Sequence, residues 1–130
     1  MKKYLKTLQI EHLALLVIVL ASTAYFWREI NWIHYIAFIA AIDLIGYIPG
    51  RLWSIAFKTE RPPAIFYWIY NICHNMFVLV LFSAAYWNFV AKDYALLALF
   101  GHLCVDRGVL GNFPKLLKDD FKTPTTELVV

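Results

Sequence analysis

Four long apolar runs divide the chain: Ile10 to Phe26, Trp32 to Pro49, Ala64 to Trp87 and Tyr94 to Gly111. Each is close to the ~20 residues a helix needs to cross a hydrocarbon layer of ~30 Å. A closed barrel is the other backbone solution in lipid, but its strands alternate over ~10 residues, whereas these runs are continuously apolar. The pattern therefore predicts an all-α fold, a four-transmembrane-helix bundle forming a single membrane domain over residues 1–130. Pro62 and Pro63 stand where a helix start tolerates proline, and Pro49 with Gly50 closes the second run. The one long connection is then Gly50 to Pro63. The polar stretch 112–130 is expected to lie on the membrane surface or to be partly disordered.

Composition strengthens the membrane reading. The 130 residues are 62% hydrophobic and only 16% charged, against roughly a quarter charged in water-soluble domains. The first run lacks a clear small-residue cleavage site and further runs follow it, so it reads as a retained helix and not a cleaved signal. Cys73 and Cys104 both fall inside predicted spans, where buried thiols are expected and a disulfide framework is not. A formal net charge of +3 gives no case for a nucleic-acid partner; the bilayer is the expected surrounding.

The placement of charge says more than its sum. Lys2, Lys3, Lys6, Arg51, Lys58, Arg61, Arg107, Lys115, Lys118 and Lys122 fall on one side of an even-numbered bundle, and only Arg28 and Lys92 on the other. Basic residues are retained on the cytoplasmic side, so both termini are expected in the cytoplasm. Trp27, Trp32 and Trp87 near the outer boundary and Trp53 near the inner one suit interfacial aromatic belts.

Ionisable groups inside hydrocarbon cost at least ~2.5 kcal/mol on insertion scales and need a partner or a task. Asp43, His74 and His102 each lie about eight to eleven residues into their spans, which at ~1.5 Å per residue places all three near the bilayer middle. Asp106 follows His102 by one helical turn, with Arg107 beside it; Asn71 and His74 share a face, as do Asp43 and Tyr47. Glu11 opens the first span, so the polar set grades toward the cytoplasmic side and the inferred cavity opens there. Ala40, Gly46, Ala98 and Gly101 permit close helix packing around these stripes.

Two imidazoles with one or two carboxylates are a plausible shell for zinc, iron or manganese. No HExxH or paired ExxH signature accompanies them, and HxxxD alone recurs by chance. The same residues could instead act as helix glue, with Asp106 or Asp43 paired to Arg107 and the histidines bonded to carbonyls or tyrosines. His12 and His34 read as interfacial, and Glu29, Glu60 and Asp93 as ordinary loop charges.

At these residues the chain resembles a family of small bacterial integral membrane proteins catalogued as domain of unknown function number 4260. The resemblance rests on Glu11, on Asp43-Leu44-Ile45-Gly46-Tyr47, on Tyr70-Asn71-Ile72-Cys73-His74, and on His102 to Arg107 followed by Leu110-Gly111. It departs at Asn112, where members tend to carry tyrosine, in the longer connection from Gly50 to Pro63, and at Lys122-Thr123-Pro124, where the family often shows Asp-Thr-His. The resemblance implies a four-helix protein of the bacterial inner membrane with these site residues, but the family carries no established activity.

Three readings follow from the residues. In an enzyme, His74, His102 and Asp106 hold a divalent metal that activates water or oxygen, Asp43 or Glu11 handles protons, and Arg107 receives an anionic headgroup, the substrate being a lipid or small membrane-soluble molecule. In a structural or modulatory subunit, the same cluster locks helix packing. A transport path ranks third, because the outer halves of the spans offer little beyond Ser22, Thr23, Ser83 and tyrosines.

Overall fold

The computed structural model describes residues 2–122, with their side chains from residue 6 onward. Those residues form helices and no strands. Helix α1 spans Lys2–Tyr25, beginning well before the apolar run because Lys, Leu and Gln are good helix formers and carry the helix past its apolar part. Asn31 opens α2, Trp32–Gly46, by accepting from the backbone N–H groups of Ile33 and His34, the usual work of an N-cap.

The second run does not end at Pro49. At Tyr47 the chain bends by 40° and continues as α3, Ile48–Ala56. Proline lacks the N–H and clashes with the preceding turn, so Pro49 breaks α2 yet sits comfortably in the first turn of α3. Much of the expected connection from Gly50 to Pro63 is therefore helical.

The third run is also broken. Helix α4 covers Ala64–Cys73 and α5 covers Met76–Phe89, bent by 60° at His74 and Asn75. Asn75 causes the break locally: its side-chain oxygen accepts from the N–H groups of Phe77 and Val78, starting a new helix where the old one would have continued. The fourth run opens with a 3-10 turn, Tyr94–Leu96, capped by Asp93. It proceeds as α6, Leu97–Cys104, and closes in a π turn, Val105–Val109, followed by Gly111 at φ 65.

Helix α1 packs along α6 and the π turn, and α2 lies between α4 and α6. One apolar core joins Ile42, Leu79, Leu96, Leu99 and Leu103. A second, aromatic core joins Tyr67, Tyr70 and Phe121. Much of the remaining apolar surface faces outward, including Val17, Ile18 and Leu20 on α1. Among the described residues α1 alone is long and apolar enough to cross a membrane, and up to three spans result if each bent pair is one span.

Residues 112–122 are ordered and dock on the bundle, which corrects the expectation of partial disorder for this part of the tail. Phe113 and Phe121 are buried, the Asn71 side chain bonds both the carbonyl and the N–H of Lys115 at 2.8 and 2.7 Å, and Tyr67 donates to the Asp119 carbonyl at 2.7 Å. Residues 123–130, including Thr123 and Pro124, lie outside the described part. Asp93, expected as a loop charge, is buried and meets His34 at 2.6 Å.

Candidate metal centre

The two breaks and the π turn create the polar centre. Asp43 comes from the last turn of α2, His74 from the break between α4 and α5, His102 from α6, and Asp106 from the π turn. His74 Nε2 stands 3.4 Å from a carboxylate oxygen of Asp43 and 3.2 Å from one of Asp106. His102 Nε2 stands 3.6 and 3.9 Å from the same two oxygens. One ligand atom each from Asp43, His74 and His102 lie within 4.8 Å of one another.

These separations are informative because they are long for hydrogen bonds. An imidazolium paired with a carboxylate closes to ~2.7–2.9 Å, whereas two ligands on a tetrahedral ion at ~2.0–2.2 Å stand about 3.3–3.6 Å apart. Three of the four distances fall at or near that tetrahedral edge. Both Nε2 atoms are buried and have no hydrogen-bond partner.

The tautomer of His74 sharpens the point. Its Nδ1 lies 3.0 Å from the Tyr70 carbonyl oxygen, which accepts and cannot donate, so Nδ1 carries a proton, and in a neutral ring the Nε2 lone pair faces two carboxylates. Acceptors facing acceptors need a cation or an added proton between them. A second group that orients a ligating imidazole in this way is a regular feature of metal sites.

His74 is held from three further sides. The Tyr70 ring stacks on it at 4.0 Å with an interplanar angle of 18°, and the Tyr70 hydroxyl accepts from Asn112 at 2.7 Å. Gly46 lets α2 come close: a Cβ there would meet Cys73 Cβ at 2.9 Å and the His74 ring at 3.3 Å. The carbonyl that the helix break frees on His74 accepts from Arg107 Nη2 at 2.8 Å.

Arg107 thus bonds protein groups on both arms, its other nitrogen standing 3.4 Å from His12 Nε2. His12 donates from Nδ1 to the Leu8 carbonyl at 2.7 Å, and it is buried, not interfacial. Glu11, its neighbour on α1, is exposed. Tyr47 stacks on Phe121 at 5.7 Å and Asn71 holds the Lys115 backbone, so both serve the tail. Of the expected site residues, the structure brings together Asp43, His74, His102 and Asp106, with Arg107 behind them.

A groove of about 400 Å³ reaches the centre between α1, α2 and α6. Asp43, His102 and Asp106 form its polar floor, and Leu16, Leu20, Ile39, Ala98 and Gly101 its walls. Its lining extends from Leu20 and Tyr35, where α1 finishes and α2 begins, past the carboxylates to Val105 and Leu110 in the π turn and just beyond it. Behind His74 the centre is backed by Tyr70, Asn112 and Arg107.

Sequence reasoning passed over Lys115 and Phe121. Lys115 is buried, with its Nζ 4.9 Å from the Tyr70 ring centre, 5.6 Å from Phe121 and 5.9 Å from Tyr47, and burial pushes its ammonium down to about 8. The apolar Phe113 and Phe121 within a polar stretch hinted that the tail docks. Matched against family models, curated proteins and solved structures, the chain finds no counterpart.

Proposed function

We propose that this chain is a four-span protein of the bacterial cytoplasmic membrane, with both termini in the cytoplasm. Its reading as a relative of the uncharacterised membrane family rests on the motifs that carry Asp43, His74, and His102 with Asp106, which meet at one centre. The span count rests on α1, on the two bent helix pairs, and on the fourth run ending in the π turn. Orientation rests on the one-sided placement of lysine and arginine.

At the centre, Asp43, His74 and His102 would hold a divalent metal, with Asp106 beside His74 as a further carboxylate; three protein ligands would leave a position for an incoming oxygen. The carrying observation is the pair of buried, unpartnered Nε2 atoms set 3.2–3.9 Å from two carboxylates. Such a metal supplies Lewis-acid chemistry toward a membrane-soluble molecule. Asp106, which also lines the groove, is the carboxylate placed to take or give a proton there. Zinc, iron and manganese all suit two imidazoles and two carboxylates. Metal analysis of purified wild type beside a His74→Ala, His102→Ala double variant tests the reading: about one metal per chain is expected in wild type and none in the variant. Folded, metal-free wild type that takes up none of these ions overturns it.

A second reading is favoured by one observation, that the four side chains tie α2, the α4–α5 break, α6 and the π turn together. There the cluster is a packing lock in a structural or modulatory subunit. It requires His102→Ala to lower thermal stability while chelation changes nothing.

A further inference from the structure

The groove differs from the rest of the centre in what it lacks. Apart from Tyr35 its walls are apolar side chains, and among the described residues no lysine or arginine lines it. Arg107, the cation expected to receive an anionic headgroup, is not part of the lining; its two terminal nitrogens face the His74 carbonyl and His12. The floor already carries two carboxylates, whose charges balance those of a divalent ion. An anionic ligand would therefore enter a low-dielectric site past two negative groups, with no cation in the walls to meet it.

We infer that the groove takes a neutral molecule with a medium-length alkyl chain and one coordinating oxygen, such as a long-chain alcohol or aldehyde, and excludes phosphate-bearing lipids from the metal. This rests on the metal reading for the oxygen's partner, whereas the groove's preference for a neutral chain stands on its walls. The polar floor adjoins an apolar wall of Leu16, Leu20, Ile39, Ala98 and Gly101. Between Asp43 and Tyr35 the groove follows eight residues of α2, about 12 Å. His74 does not line it, so it approaches the centre from behind and leaves the groove side to the incoming oxygen. The rim residues Leu20, Ile39 and Leu110 are exposed and apolar, giving a lateral entry from the acyl-chain region.

Gly101 supplies the control. It lines the groove, and a Cβ there would find only Val19 at 3.6 Å, so a side chain can start there without a clash and Gly101→Leu should fill the groove. The experiment uses Co(II)-loaded full-length protein in phosphatidylcholine nanodiscs, titrated with 1-decanol or with decyl phosphate. Saturable change of the Co(II) ligand-field spectrum is expected with decanol and none with decyl phosphate, and Gly101→Leu should raise the decanol needed at least tenfold while retaining Co(II). In metal-free protein, decanol should raise the Tm of wild type and not of Gly101→Leu. A response to decyl phosphate equal to that of decanol overturns the inference, as does a decanol response that Gly101→Leu leaves unchanged. Protein that takes up no Co(II) but is stabilised by decanol in a Gly101-dependent way overturns the metal reading and leaves the groove preference supported.

Discussion

Arg107 donates from Nη2 to the carbonyl oxygen of His74 at 2.8 Å, so the side chain of one motif satisfies the backbone group that another motif's helix break leaves open. The break puts the His74 ring among the carboxylates. The π turn, a rare feature often found at functional sites, holds Arg107 behind it. The two irregularities depend on each other.

Replacing Arg107 with Met should therefore destabilise the fold by about 1–3 kcal/mol, the usual cost of leaving a buried polar group unsatisfied. A lowered Tm is the expected readout, together with weaker metal binding as the His74 backbone loosens. A Tm equal to wild type would show that the carbonyl has another partner.

Gly46→Ala probes the close approach of α2 to His74. The added Cβ would stand 2.9 Å from Cys73 Cβ and 3.3 Å from the imidazole, so the ring must shift by some tenths of an ångström. Disturbing the groups that orient a ligand typically weakens metal binding 10–100-fold, and a loss of at least tenfold is expected in a competitive chelator titration. Unaltered affinity would place the ring outside the coordination set.

Phe121 should anchor the tail. It is fully buried against Tyr47, Tyr67 and Tyr70, and a Cβ on Gly50 would fall 2.5 Å from its ring. Phe121→Ala should cost about 3–5 kcal/mol, as for other buried aromatic truncations. Gly50→Ala should expel the same ring, seen as faster proteolysis of the tail in both variants.

Lys115 predicts a pH dependence. Burial holds its ammonium at about 8 when folded, below the ~10.4 of an unfolded lysine. Between these values the unfolded chain binds more protons, so stability rises with pH from about 8 to 10.4; below pH 8 the full penalty of the buried charge is present. Thermal unfolding across that range should show the rise, and Lys115→Met should flatten it.

The helical class was legible from continuous apolar runs, and depth counting placed Asp43, His74 and His102 at one level, where the structure brings them together. His102 and Asp106 were readable as one face from their spacing alone. Glu11 and His12 show where such reading stops. They are neighbours on α1, and only packing against the π turn decides that His12 faces inward and Glu11 outward.

The sequence by itself determined the helices, the side chains that carry chemistry and their level along the bundle, because these follow from local hydrophobicity and a fixed rise per residue. The tertiary structure alone decided the break at His74, the docking of residues 112–122 and the groove. The break needs Arg107, 33 residues away, to satisfy its carbonyl. The docking needs Asn71 to hold Lys115, 44 residues away. The groove exists only where α1, α2 and α6 diverge around Gly101. Contacts so distant in the chain leave no periodic trace in it.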